Sequence, residues 1–170
     1  PQLRDLSTVQ LARRLRRAPV DTGTAATDAM HLIAATPEQT GALAEFNANS
    51  GPFLLFGATG SGKTEVYLRA AAALLAREPD AQALVMVPEI NLTPQLQARF
   101  QQRFGPLLGD DAVVSLHSAM TNPQRLRSWL AAHLGTARIV LGTRMAVFAS
   151  MPALALIIVD EEHDPSYKQQ

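Results

Sequence analysis

The chain has no cysteine, which excludes disulfides and any thiolate zinc site within these residues and fits a reducing compartment, the cytoplasm being the expectation. It has no excess of either charge, since 15 Lys+Arg stand against 15 Asp+Glu for a formal net charge of +0. Global charge therefore points to no nucleic-acid partner, and any such surface has to be local. No apolar run approaches the roughly 18 residues of a membrane-spanning helix, so no membrane association is expected. Internal repeats and low-complexity segments are missing too. The sequence opens Pro1-Gln2-Leu3-Arg4, without an initiator methionine or the charged-then-apolar pattern of a signal peptide, and reads as a piece of something longer. Lysine is almost missing, with only Lys63 and Lys168 against thirteen arginines. A lysine kept inside a glycine-rich stretch, as Lys63 is, stands out against that bias.

What is present divides near Thr36. Residues 1 to 35 hold a short basic helix, announced by the capping pattern Ser7-Thr8-Val9-Gln10 and stopped by Pro19, followed by an aperiodic linker. They form a linker or the remnant of an upstream domain. From Thr36 onward short apolar runs alternate with amphipathic segments, the pattern of strands joined by crossover helices. Five strands are expected, at Pro52 to Phe56, Ala83 to Val87, Ala112 to Leu116, Arg138 to Leu141 and Leu154 to Val159. Each is a continuous apolar run, as for strands buried on both faces. Helices are expected from Thr64 to Ala76 with a stripe of Val66, Ala70 and Leu74, and from Thr93-Pro94 to Gly105-Pro106 with Leu96, Phe100 and Phe104. A third begins at Asn122-Pro123, with Leu126, Leu130 and Leu134, and ends at Gly135. The expectation is an α/β fold, a parallel sheet of at least five strands with helices on both faces and a site at the carboxyl ends of the strands.

Two motifs carry chemistry. Gly57-Ala58-Thr59-Gly60-Ser61-Gly62-Lys63-Thr64 matches G-x-x-x-x-G-K-T between an expected strand and an expected helix. Glycines 57, 60 and 62 permit positive φ and close backbone approach, so successive N–H groups, with those of Thr59 and Ser61, can wrap a phosphate at a helix N-terminus. Lys63 would reach the β and γ phosphates of ATP, and the Thr64 hydroxyl would bind Mg²⁺. Asp160-Glu161-Glu162-His163 ends the apolar run Leu156-Ile157-Ile158-Val159. An acid there suits a second Mg²⁺ contact from Asp160, with Glu161 orienting the attacking water. His163 has no metal-spaced companion, and D-E-E-H is not H-E-x-x-H, so zinc is not expected.

The strings G-A-T-G-S-G-K-T-E-V-Y, V-P-E-I-N-L-T-P-Q at 87 to 95, L-H-S at 116 to 118, G-T-R at 142 to 144 and V-D-E-E-H-D-P-S-Y-K-Q-Q at 159 to 170 occur in order. Together they resemble the bacterial replication-restart DNA helicases, a superfamily-two family, over about residues 36 to 170. The resemblance implies a first RecA-like motor domain, truncated at its C-terminal end, of an ATP-dependent 3′-to-5′ helicase that acts in primosome assembly. It implies adenine recognition by Gln39, although Thr36-Pro37-Glu38-Gln39 is equally a capping box. It further implies DNA-backbone contacts from Pro88, Thr93, Gln95, Thr143 and Arg144, and single-stranded DNA contact from Tyr167 and Lys168. Implied partners are forked and single-stranded DNA, primosome proteins and single-strand-binding proteins, for a monomer at the bacterial nucleoid. The second motor domain with its arginine fingers and the family's zinc module would lie outside these residues, so nucleotide binding without appreciable hydrolysis is expected. The alternative is a DNA-binding or docking module without ATP turnover.

Overall fold

The computed structural model describes residues 34 to 58 and 60 to 168. The expected basic helix, most of the expected linker, Thr59, Gln169 and Gln170 lie outside them. Backbone contacts divide the chain into a unit up to Val66 and a unit from Tyr67 onward.

In the first unit, helix α1 spans Pro37–Ala48 and begins as the sequence predicts. Thr36 is the N-cap, its hydroxyl accepting from the Gln39 N–H at 3.3 Å while the Gln39 side chain accepts from the Thr36 N–H at 3.0 Å. The Phe46 and Phe53 rings meet edge to face at 5.0 Å. The strand expected at Pro52 to Phe56 is not one. These residues have no ladder partner among the described residues, and Leu54 and Phe56 are largely exposed. A strand exists only through a neighbour's hydrogen bonds, and an apolar run cannot supply those by itself.

The second unit holds a parallel sheet of four strands, β1 Gln82–Met86, β2 Val113–Leu116, β3 Ile139–Gly142 and β4 Leu154–Val159, in the order β2-β3-β1-β4. Four strands, not five or more, therefore form the sheet among the described residues. The register puts Met86 opposite Gly142 and Val159, and Leu116 opposite Gly142. The two central strands are buried along their whole length, whereas β4, on the edge, leaves Ile157 and Val159 partly exposed.

Helices cover both faces. Helix α2, Lys63–Arg77, and helix α3, Pro94–Leu108, contribute Leu68, Ala71, Leu75, Phe100 and Phe104 to one apolar cluster with Val85, Val87, Ile139 and Leu141. Burying a phenylalanine fully, as at Phe100 and Phe104, stabilises by about 2 to 3 kcal/mol. On the other face, Ala132 of helix α4, Asn122–His133, packs with Leu84, Met86, Leu116, Val140 and Ala146.

The helical stripes depart from the expected ones in detail. Helix α2 buries Tyr67, Leu68, Ala71 and Leu75 besides Val66, with Leu74 half-buried against the same cluster and Ala70 half-buried. Helix α4 buries Ser128, Ala131 and Ala132 and leaves Leu126 exposed, because small side chains let its backbone lie close to the sheet. Its cap is Thr121, one residue before the expected Asn122, with Gln124 closing a capping box. Helix α3 runs through Pro106 to Leu108. A proline in the last turn loses a single hydrogen bond, and it is Gly109, at φ 97°, that ends the helix.

The amino-terminal end of the sheet is tied by the side chain of Gln82, which is fully buried. Its amide nitrogen donates to the carbonyls of Ala132 and Ala137, both at 2.8 Å, and its oxygen accepts from the Ala153 N–H at 3.1 Å. Replacing it with leucine strands the Ala137 carbonyl and the Ala153 N–H, whereas the Ala132 carbonyl keeps its bond from the Gly135 N–H. Gln82→Leu is expected to destabilise by about 3 kcal/mol and to lower Tm by roughly 6 to 12 °C, read by thermal denaturation. At the other end, a Cβ on Gly142 would collide with the Leu116 carbonyl oxygen and the Ala146 methyl. Gly142→Ala is expected to lower stability by about 1 to 3 kcal/mol in a urea titration.

Candidate functional site

Within the first unit the glycine-rich segment turns into the start of α2. Gly60 and Gly62 sit at φ 80° and 86°, where a side chain would be strained. A Cβ on Gly57 would come within 2.7 Å of the Ser61 hydroxyl. The Ser61 N–H bonds to the Ala58 carbonyl at 3.1 Å and closes the turn. The Lys63 ammonium folds back over the segment and donates to the carbonyls of Gly57 at 2.6 Å and Ala58 at 3.1 Å. The half-buried Thr64 lies in the first turn of α2. Gln39 acts here as a capping residue whose amide also braces the loop, donating to the Gly62 carbonyl at 3.3 Å.

Within the second unit, the residues singled out around the sheet follow the carboxyl ends of the parallel strands, where α/β proteins place their ligands. Pro88 and Thr93 follow β1, Thr143 and Arg144 follow β3, and Asp160 follows β4. Pro88 and Thr143 are buried, and the Thr143 hydroxyl has no hydrogen-bond partner among the described residues. The Thr93 hydroxyl caps α3 by accepting from the Leu96 N–H at 3.2 Å. Gln95, Arg144 and Lys168 are exposed. Two loops of this edge are joined by a contact that the sequence does not announce, the Ser118 hydroxyl donating to the Glu89 carboxylate at 2.8 Å.

Asp160 is held on three sides. Its N–H continues the β4 ladder to the Met86 carbonyl at 2.9 Å, its own carbonyl accepts from the Tyr167 hydroxyl at 2.9 Å, and its carboxylate accepts from the Tyr67 hydroxyl at 3.1 Å. Burial above all, and then the negative charges of Asp160 and Asp164, push the Tyr167 phenol well above its ordinary range, so it remains a donor at neutral pH. Hydrogen bonds from Ser166 hold Asp164 below the usual carboxylate range. Glu161 occupies the left-handed region at φ 49°, which costs a non-glycine residue about 1 kcal/mol. The turn it forms is closed by the Asp164 N–H on the Glu161 carbonyl at 2.8 Å, and the Glu161 carboxylate lies 3.4 Å from the His163 ring.

Among the described residues no three His, Asp or Glu side chains gather as a metal site. The Thr64 hydroxyl and the Asp160 carboxylate are each oxygen donors of the kind that magnesium takes. Tyr67 is the residue around Asp160 that sequence reasoning missed. It closes the string G-A-T-G-S-G-K-T-E-V-Y but lies outside the expected stripe of Val66, Ala70 and Leu74.

The DEAD/DEAH box helicase family matches residues 36–170. The chain is 45% identical over 118 residues to the replication restart protein PriA of Bacillus subtilis (strain 168), covering 69% of this chain and 14% of that protein. Against PriA of Synechocystis sp. it is 48% identical over 116 residues, 68% of this chain and 13% of that protein. Against PriA of Helicobacter pylori (strain J99) it is 44% identical over 139 residues, 82% of this chain and 21% of that protein. The chain thus spans between an eighth and about a fifth of the curated relatives it matches. The glycine-rich loop, the strand-end acids and the parallel sheet all fall inside the matched stretch, and the chain belongs to the DEAD/DEAH box helicase family.

Proposed function

We propose that residues 36 to 170 are the ATP-binding first motor domain, RecA-like in fold, of an ATP-dependent 3′-to-5′ DNA helicase acting in replication restart and primosome assembly. Residues 1 to 35 are then a linker or the remnant of an upstream domain. The observation that carries this reading is the loop itself. Two glycines in the left-handed region lead into α2, and Lys63 closes over the turn, bonded to the main-chain carbonyls of Gly57 and Ala58, contacts that a phosphate can replace.

In this proposal the N–H groups of the segment from Gly57 to Thr64, Thr59 and Ser61 included, hold the phosphates, and Lys63 neutralises charge between the outer two. Gln39 contacts adenine. Bound Mg²⁺ would neutralise charge on the phosphate oxygens, with Thr64 and Asp160 as its protein contacts. Glu161, its backbone fixed by the tight turn, orients the attacking water. Pro88, Thr93, Gln95, Thr143 and Arg144 follow the DNA backbone, through backbone groups where the side chain is buried, and Tyr167 and Lys168 meet single-stranded DNA. Arginine fingers, worth on the order of 10³ to 10⁵ in rate, come in this proposal from a second motor domain. These 170 residues by themselves then bind nucleotide and hardly hydrolyse it. The parent protein works as a cytoplasmic, nucleoid-associated monomer on forked and single-stranded DNA with primosome and single-strand-binding proteins.

Two measurements test this. Lys63→Ala is expected to weaken binding of a fluorescent ATP analogue at least about tenfold, in line with the loss of a charge-assisted phosphate contact. Equal affinity for the two proteins would refute the nucleotide site. Binding of single-stranded DNA is expected to fall with salt, and Arg144→Ala to flatten the log–log slope by about 1. An unchanged slope would remove Arg144 from the DNA track.

A further inference from the structure

Tyr67 lies on α2, the helix that Lys63 opens, and its ring is buried in the apolar cluster with Leu68, Val85 and Phe100. Phenylalanine would fill that space equally well, so the hydroxyl has to be explained by what it touches. A buried phenol needs a hydrogen-bond partner, and this one donates to the Asp160 carboxylate at 3.1 Å across 93 residues of sequence. The main chain of Asp160 is already fixed at both its N–H, by Met86, and its carbonyl, by Tyr167. What those bonds leave undetermined is the rotation of the carboxylate, whose last torsion is broad and two-fold. The Tyr67 hydroxyl acts on that torsion. A carboxylate that accepts from a fixed donor through one oxygen presents the other in a defined direction.

We propose that Tyr67 is a positioning residue, its hydroxyl fixing the Asp160 carboxylate through one oxygen and leaving the other available to the Mg²⁺ that a bound nucleotide would bring. This rests on the nucleotide-site reading above. Partners that orient a metal-binding side chain typically govern metal affinity by about 10- to 100-fold.

The test is nucleotide affinity with Mg²⁺ and with EDTA for the wild-type chain and for Tyr67→Phe, Asp160→Asn and Lys63→Ala, using a fluorescent ATP analogue. Tyr67→Phe is expected to match wild type in EDTA and to lose about tenfold of the gain that Mg²⁺ confers. Asp160→Asn should lose the same gain, and Lys63→Ala should be weaker in both media. A full Mg²⁺ gain in Tyr67→Phe, alongside its loss in Asp160→Asn, overturns the positioning role and leaves the nucleotide site standing. Equal weakening of Tyr67→Phe in both media marks a packing role and overturns it too. Wild-type affinity of Lys63→Ala in both media removes the nucleotide site and the positioning role together.

Discussion

The buried amide of Gln82 ties together the amino-terminal end of the sheet. It sits at the start of the central strand β1 and spends both N–H donors and its carbonyl on three main-chain groups from the end of α4, the entry to β3 and the entry to β4. An amide so buried is tolerable only because every bond is made, and the same condition makes it selective for one arrangement of those segments. Arg138 does comparable work beside it, its guanidinium donating to the carbonyls of Ala81 at 2.5 Å and Glu78 at 2.9 Å and so closing the carboxyl end of α2. With that end fixed, the strand order places the opposite ends side by side, where Thr143 follows β3 and Asp160 follows β4.

At the carboxyl ends the sheet gives way to strained and polar backbone. Asp160 is the last residue still on the ladder, through its bond to Met86, and Glu161 turns at once into the left-handed region. The local cost is met by the Asp164 and Tyr167 bonds that close the turn. Strain of this kind survives where surrounding structure over-determines it, and here it aims two adjacent acids in different directions from one strand end. Gly142 plays the converse part, since its missing side chain lets β3 lie against the Leu116 carbonyl and the turn that carries Ala146. The G-T-R string therefore has a packing reason at its glycine, beside the proposed nucleic-acid role of its arginine.

Much of the local geometry around the candidate site was legible because its signals are local. The glycines of the loop, the caps at Thr36 and Thr93, and the acid that ends β4 each depend on residues within a few positions of one another. The apolar runs of β1 to β4 were legible for the same reason, with boundaries within a residue or so. The run at Pro52 to Phe56 looks the same as text yet has no ladder partner among the described residues, and pairing is not a property of one segment. The stripe of α4 misled similarly, since its leucines recur at helical spacing while its small residues make the contact.

The amino-acid sequence by itself determined which segments turn, cap and rise as helix, because sterics and short-range hydrogen bonds act within a few residues. It also determined the family, through ordered strings of chemically specific residues. Only the tertiary structure decided the order β2-β3-β1-β4, the burial of Gln82 and Thr143, and the bond from Tyr67 to Asp160. Those features join groups far apart along the chain, and a hydrogen bond needs its two atoms within about 3 Å. No spacing in the text specifies that distance.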